Sequence, residues 1–175
     1  EARKNGFPVS ILHPGHIVGP GWRPVNPQGN LNLTVFEKLA HGEELVLPNN
    51  GLETLHHVHA DDVAQSFMRA LASFSTARGE AFHIVSEQAL TLRGYAEAVA
   101  SWFGRRANLS FVPWHALKEM LNPEDAAETA DHIFHSPSVS IEKAKRLLGY
   151  RPRYSSLEAI RESLEWLIAE KEVHV

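Results

Sequence analysis

Within HHVHADDVA, residues 56–64, three histidines and two aspartates fall inside seven residues. Such a donor set can bind zinc or iron, because imidazole nitrogens and carboxylate oxygens are the ordinary protein ligands of both. On a strand, His57 and His59 would share one face while His56 and Val58 take the other. The sequence offers no second His-x-His and no helical His-Glu pair to complete a set. Asp61 or Asp62 instead stands just ahead of the apolar-periodic run Val63, Ala64 and Phe67, where the N-cap of a helix belongs. A structural role for these residues, with no metal, is the expectation. Cysteine is absent, which excludes disulfides, zinc-thiolate sites and thiol catalysis.

Acid–base chemistry finds no ready pair either. The tyrosines Tyr95, Tyr150 and Tyr154 are followed four residues on by Val99, Tyr154 and Glu158, so none has a lysine one helical turn away. The eleven glycines form no Gly-x-x-Gly-x-x-Gly loop of the kind that cradles a dinucleotide pyrophosphate. The GPG at 19–21 is a weak echo, because Pro20 lacks the N–H such a loop would use.

The elements that would position these residues follow from periodicity and punctuation. EARKNG reads as the last turn of a helix closed by Gly6, with Pro8 beyond it. VSIL is a short apolar run ended by Pro14-Gly15, predicted as a strand buried on both faces. The prolines and glycines that follow it predict loop through Asn30. Residues 31–41 read as a helix closed by Gly42, ELVLP and LHHVH as strands, and ADDVAQSFMRALAS as a helix. EAFHIVS predicts a further strand, then a helix capped by Thr91 and stopped by Gly104, then the strand LSFVP. Residues 114–135 are helical in two pieces broken at Asn122-Pro123. SIEKAKRLLG and SLEAIRESLEWLIAE close the chain as helices. Strands alternating with helices predict an α/β protein, with a mostly helical cap after residue 90.

At 175 residues and 43% hydrophobic, the chain can bury a core as one domain. Its formal charge of −4, with charges interspersed, gives no reason to expect nucleic acid or an anionic membrane. No apolar run approaches the roughly 20 residues of a membrane span. A cytoplasmic protein is the default expectation.

Four stretches, in order, resemble the C-terminal half of extended short-chain dehydrogenase/reductases, the NAD(P)-dependent epimerase/dehydratase family. They are VSILHPGHIVGPG at 9–21, ELVLPNNG at 44–51, HHVHADDVAQSFMRAL at 56–71 and SIEKAKRLLGYRPRYSSLEAIRESLEWL at 140–167. The resemblance implies the C-terminal part of a Rossmann-type parallel sheet plus a small, mostly helical substrate-binding domain. It also implies NAD or NADP as cofactor of the parent enzyme. On this reading residues 1–175 are a single fragment that lacks the glycine-rich loop and Tyr-x-x-x-Lys, has no catalytic residue and is inactive alone.

The resemblance further implies that Pro14, Gly15, His16 and Ile17 line the cofactor. His16 stands where the family often carries a substrate-contacting asparagine, and Trp22, Arg23, Leu47 and Pro48 fall in its substrate-binding loop and strand. A nucleotide-sugar substrate is the leading expectation. Against it, Leu55 stands about where sugar-nucleotide members place a phosphate-gripping arginine, and ETADHIFHSPS offers only His132 and His135 for a second. The alternatives are a non-nucleotide carbonyl or hydroxyl substrate, or an inert interaction module. Self-association over an incomplete sheet edge is expected.

Overall fold

The computed structural model describes the backbone of residues 2–175 and the side chains from Lys4 onward. The chain opens with α1 (Ala2–Asn5), β1 (Ile11–Pro14), β2 (His16–Val18), α2 (Thr34–His41) and β3 (Glu44–Pro48). Next come β4 (Thr54–Leu55), β5 (His57–His59), α3 (Ala60–Ala72), α4 (Phe74–Ala77), β6 (Ala81–Ile84) and β7 (Leu90–Thr91). The remainder is α5 (Leu92–Trp102), β8 (Asn108–Val112), α6 (Trp114–Met120), α7 (Pro123–His135), α8 (Glu142–Leu148) and α9 (Ser156–Ala169).

Local chemistry sets most of the boundaries. Gly42 and Gly149 end α2 and α8 in the left-handed conformation that only glycine adopts without cost. Thr91 caps α5 by accepting the Gly94 N–H, and Asn122 caps α7 by accepting that of Asp125. Ser155 and Glu158 form a reciprocal capping box on α9. The loop expected after Pro14 is partly a strand, β2, because its backbone pairs with β5. The cap of α3 is also corrected: it is His59, whose Nδ1 accepts the Asp61 N–H, while both aspartates lie inside the first turn.

The α/β class holds. Parallel pairs join β1 to β6, β2 to β5 and β3 to β8, and the short β4–β7 pair is antiparallel. The chain changes partner at Gly15. Its own N–H reaches the Ile84 carbonyl at 3.1 Å, and the next, from His16, reaches His56 at 2.9 Å. One apolar cluster packs α2, β3, α5 and α9 around Phe36, Leu47, Tyr95 and Ile160. The other gathers Val58, Phe82, Ile84, Leu148 and Tyr150 under β1 and β6. Tyr150, from the closing LGY, donates its hydroxyl to the Val85 carbonyl.

The expectation that β1 is buried on both faces fails. Among the described residues β1 pairs only with β6, and Ile11, His13 and Pro14 are exposed. Burial of a strand depends on its neighbours as well as its own apolarity.

Candidate ligand site at the Gly15 bend

The three histidines of the opening stretch turn out to face three separate partners. His56 donates from Nε2 to the Ser86 carbonyl and accepts the Val139 N–H at Nδ1. His57 donates from Nε2 to the Val25 carbonyl at 3.1 Å. His59 caps α3 through Nδ1, contacts Glu162 through Nε2 at 2.7 Å and stacks on Tyr154. Carbonyl oxygens can only accept, so each ring that faces one carries its proton on that nitrogen. Among the described residues no group of three or more histidine, aspartate or glutamate side chains is placed to hold a metal ion.

A different set of imidazoles does converge. The His16 ring lies 5.3 Å from His57 and 4.9 Å from His132, and His57 lies 5.6 Å from Tyr95. His132 comes from α7, and its Nδ1 faces the Gly29 and Glu128 carbonyls at 2.8 Å each. Its proton therefore sits on Nδ1, which leaves Nε2 as an acceptor in the neutral ring. Three buried polar atoms along this row have no protein partner: His16 Nδ1, His57 Nδ1 and the Tyr95 hydroxyl. Buried polar groups are normally satisfied, so these atoms mark where a ligand group or water is accommodated.

Burial decides the charge of His16, His57 and Tyr95. Desolvation first, then the neighbouring His132 and His56, lower the pKa of His16 to about 4. Desolvation, then His16, holds His57 well below its usual range. Desolvation likewise raises the Tyr95 hydroxyl. His16, His57 and Tyr95 are therefore neutral at pH 7 and offer hydrogen bonds without a charge.

A prediction about pH follows. A histidine whose folded pKa lies below its unfolded value disfavours the proton, so folding is weakened wherever the unfolded chain binds that proton and the folded one does not. The window for His16 runs from pH 6.5 down to about 4. A shift of that size corresponds to about 3 kcal/mol before solvent screening at this half-buried ring. The melting temperature should hold above pH 6.5 and fall between 6.5 and 4 by scanning calorimetry. His16→Asn should make the decline shallower, and an identical profile in that variant would refute the assignment.

The loop before α2 holds the site's floor and was read from the sequence only as loop. The Asn26 amide donates to Asn30 Oδ1 and to the Asn32 carbonyl, while its Oδ1 accepts the Gln28 N–H. Asn30 reaches Thr129 Oγ1 on α7 at 3.0 Å, and Gln28 reaches the Val46 carbonyl at 2.8 Å. These buried amides tie the loop to α7, and so set His132 against His16. The signal available in the sequence was the amide-rich run NPQGNLN inside a Gly/Pro loop.

The sequence-derived site residues separate into two groups. Pro14, Gly15, His16 and Ile17 form the bend itself. The N–H groups of Gly15 and His16 are taken by the sheet, so a cofactor there would meet carbonyls or the His16 imidazole. That imidazole has an orphaned nitrogen, and the bend therefore fits a ligand amide or hydroxyl. The second group does not join the row. Leu47 and Pro48 are buried core of β3. Arg23 is paired with Glu172 at 2.7 Å, and Trp22 is half exposed, with its carbonyl accepting from Ser163. Leu55, where a phosphate clamp was looked for, is fully buried.

Parallel strand pairs, a site at their bend and the ordered motifs define a Rossmann-like class. Residues 1–84 match the family model described as the NAD dependent epimerase/dehydratase family. The chain is 29% identical over 153 residues to the chloroplast stem-loop binding protein of 41 kDa b of Arabidopsis thaliana, covering 83% of this chain and 39% of that protein. In fold it is similar to an epimerase from Methanothermobacter thermautotrophicus, at 21% identity and a TM-score of 0.67, over 98% of this chain and 46% of that one. It is also similar to UDP-glucuronic acid 4-epimerase from Bacillus cereus, solved with UDP-glucuronic acid and NAD, at 17% identity and a TM-score of 0.66. There the overlap is 97% of this chain and 48% of the other. The match of residues 1–84 to that family's model and the likeness in fold agree with the resemblance carried by the sequence motifs. The chain spans less than half the length of each of these three proteins.

Proposed function

We propose that this chain forms the substrate side of an NAD-dependent epimerase, dehydratase or reductase, and that its substrate is a hydroxylated carbonyl compound held by imidazoles. The observation that carries the reading is the His16–His132 contact, 4.9 Å between ring centres, with His16 Nδ1 buried and unpartnered. The unpartnered His16 Nδ1 can donate or accept according to its tautomer, and His132 presents Nε2 beside it, which suits substrate hydroxyls or the carboxamide of the nicotinamide. When bound, the nicotinamide supplies the hydride chemistry. The chain's own part is to orient the reacting hydroxyl and exclude water from it.

A nucleotide-sugar substrate is the second reading, favoured by the UDP-sugar named for one fold neighbour. The site weighs against it: Leu55 is buried, Arg23 is paired with Glu172, and neither His16 nor His57 is a cation at pH 7. Ligand-observed NMR with glucose, xylose, UDP and UDP-glucose separates the two. Free sugars should show saturation transfer that His16→Ala and His132→Ala each abolish, with UDP adding nothing. Binding of UDP-glucose and UDP alone, indifferent to both variants, would overturn the preferred substrate class.

Two faces support self-association. β1 leaves one edge open among the described residues, and Phe67, Met68, Leu71 and Phe74 on and after α3 are exposed beside it. A mass above that of one chain should appear in light scattering as concentration rises, and a monomer throughout would remove the idea. Among the described residues no helix is long and apolar enough to cross a membrane.

A further inference from the structure

The sequence spreads its charges evenly, but folding gathers three arginines on the outer face of α5. Arg93, Arg105 and Arg106 line a pocket of about 340 Å³ together with Glu97, Leu109 and Phe111. Tyr95 on the same helix points the opposite way, into the core, so this pocket lies outside the His16 row. Gly104, left-handed at φ +67°, turns the chain after α5, and the Arg105 N–H closes the turn on the Ala100 carbonyl. Arg105 and Arg106 are thereby carried onto the rim of the pocket.

Their charge is unspent. Arg93 pairs with Glu97 at 2.8 Å, an exposed contact one helical turn apart. Neither Arg105 nor Arg106 has a side-chain ion pair or hydrogen bond among the described residues. Three cations against one carboxylate leave a local excess of positive charge in a chain whose formal net charge is −4.

The floor is aromatic and preset. Phe111, on β8, is 38% exposed, and the Arg93 guanidinium sits 5.8 Å from its ring centre. Its edge abuts Gly51 so closely that a Cβ there would stand 3.1 Å from Phe111 Cε1 and from Arg93 Cβ. The ring therefore has little room to rotate towards the core. An exposed aromatic face rimmed by free guanidiniums binds a flat ring that carries phosphate: the ring stacks and the guanidiniums grip the oxygens bidentately. A plainer account is that cations after a helix C-terminus offset its dipole. It explains Arg105 and Arg106 but neither Arg93, in the first turn, nor the open ring beside them.

We propose that this pocket is a second binding site, for a phosphorylated nucleobase ligand, with the base on Phe111 and the phosphate on Arg105 and Arg106. The same chemistry is presented by a free nucleotide and by single-stranded RNA. Two probes tell them apart: ADP by calorimetry, and a fluorescein-labelled 12-nucleotide single-stranded RNA by anisotropy, each at 50 and 200 mM salt.

At least one probe should bind, more weakly at the higher salt. The double variant R105A/R106A should weaken binding tenfold or more, and for RNA flatten the slope of log K on log salt by about 1.4, at about 0.7 per phosphate contact. Phe111→Leu should cost about tenfold through lost stacking. Glu97→Gln should tighten binding by releasing Arg93. All these side chains are exposed, so circular dichroism and melting should be unchanged. Binding of both probes with equal strength assigns the site to a mononucleotide, and preference for the 12-mer assigns it to a strand. No binding of either probe below millimolar, or binding indifferent to R105A/R106A, overturns the proposal. Sugar binding at His16 should survive R105A/R106A, so failure here and failure of the proposed substrate class are separable.

Discussion

Alanine at position 15 is expected to destabilise the protein by about 3 kcal/mol or more, at or above the upper end of the usual 1–3 kcal/mol for overpacking. A Cβ on Gly15 would stand 2.2 Å from the His56 carbonyl oxygen and 2.7 Å from Val85 Cγ1. The Val85 methyl can rotate; the carbonyl cannot, because it already holds the His16 N–H at 2.9 Å. Relief requires parting β2 from β5, so the clash is with backbone and not with a side chain that can step aside. For a chain of this size that amounts to a fall in melting temperature of roughly 6–12 °C. Gly104→Ala is the control. Its site is open but left-handed at φ +67°, and a loss of only about 1 kcal/mol is expected there. Equal melting of G15A and wild type would mean that the strands do not cross as described.

The second large effect separates two adjacent aspartates that the sequence presents as equivalent. Asp62 is fully buried, and both its oxygens accept the Arg153 N–H at 2.9 Å, while Oδ2 also takes that of Tyr154 at 3.2 Å. It thereby pins the segment between α8 and α9 onto the first turn of α3. Asp62→Ala strands those two N–H groups and should cost about 3–5 kcal/mol, at roughly 1.5–3 for each bond to a charged acceptor. Asp62→Asn should lose nearly as much, since the amide NH₂ replaces one acceptor with a donor facing donors. Asp61, exposed and with a carboxylate that among the described residues meets Arg153 Nη2 alone, at 3.2 Å, should tolerate alanine within about 0.5 kcal/mol. Urea denaturation of the three variants checks the order, and parity between D61A and D62A would refute it.

Much of the fold was legible because its rules are local. Gly42, Gly149, Thr91 and the Asn122-Pro123 break act through their own backbone and its next few residues, so a helix end could be read without knowing its surroundings. What the sequence hid was made by tertiary contact. Residues 16–18 lie in a run of glycine and proline and become β2 only because β5 lies alongside. An imidazole is an uncommon N-cap, and His59 serves as one because Glu162 and Tyr154 hold its ring from the far end of the chain. At the candidate site, position 16 could be singled out by the motif, whereas His132 entered only as a stand-in for an absent arginine. Its nearness to His16 depends on a hydrogen bond between residues 30 and 129, a separation that no periodicity reports.

The short strand β5 has a consequence for how the protein comes apart. His57 sends its ring against Tyr95 in one apolar cluster, while Val58 belongs to the other, so alternate side chains of three residues rivet both halves. Neither half can melt and leave its neighbour standing, because the rivet would be torn from whichever remained. Unfolding should therefore be a single concerted event, and a molecule that loosens around the histidines will already have surrendered its distant helices.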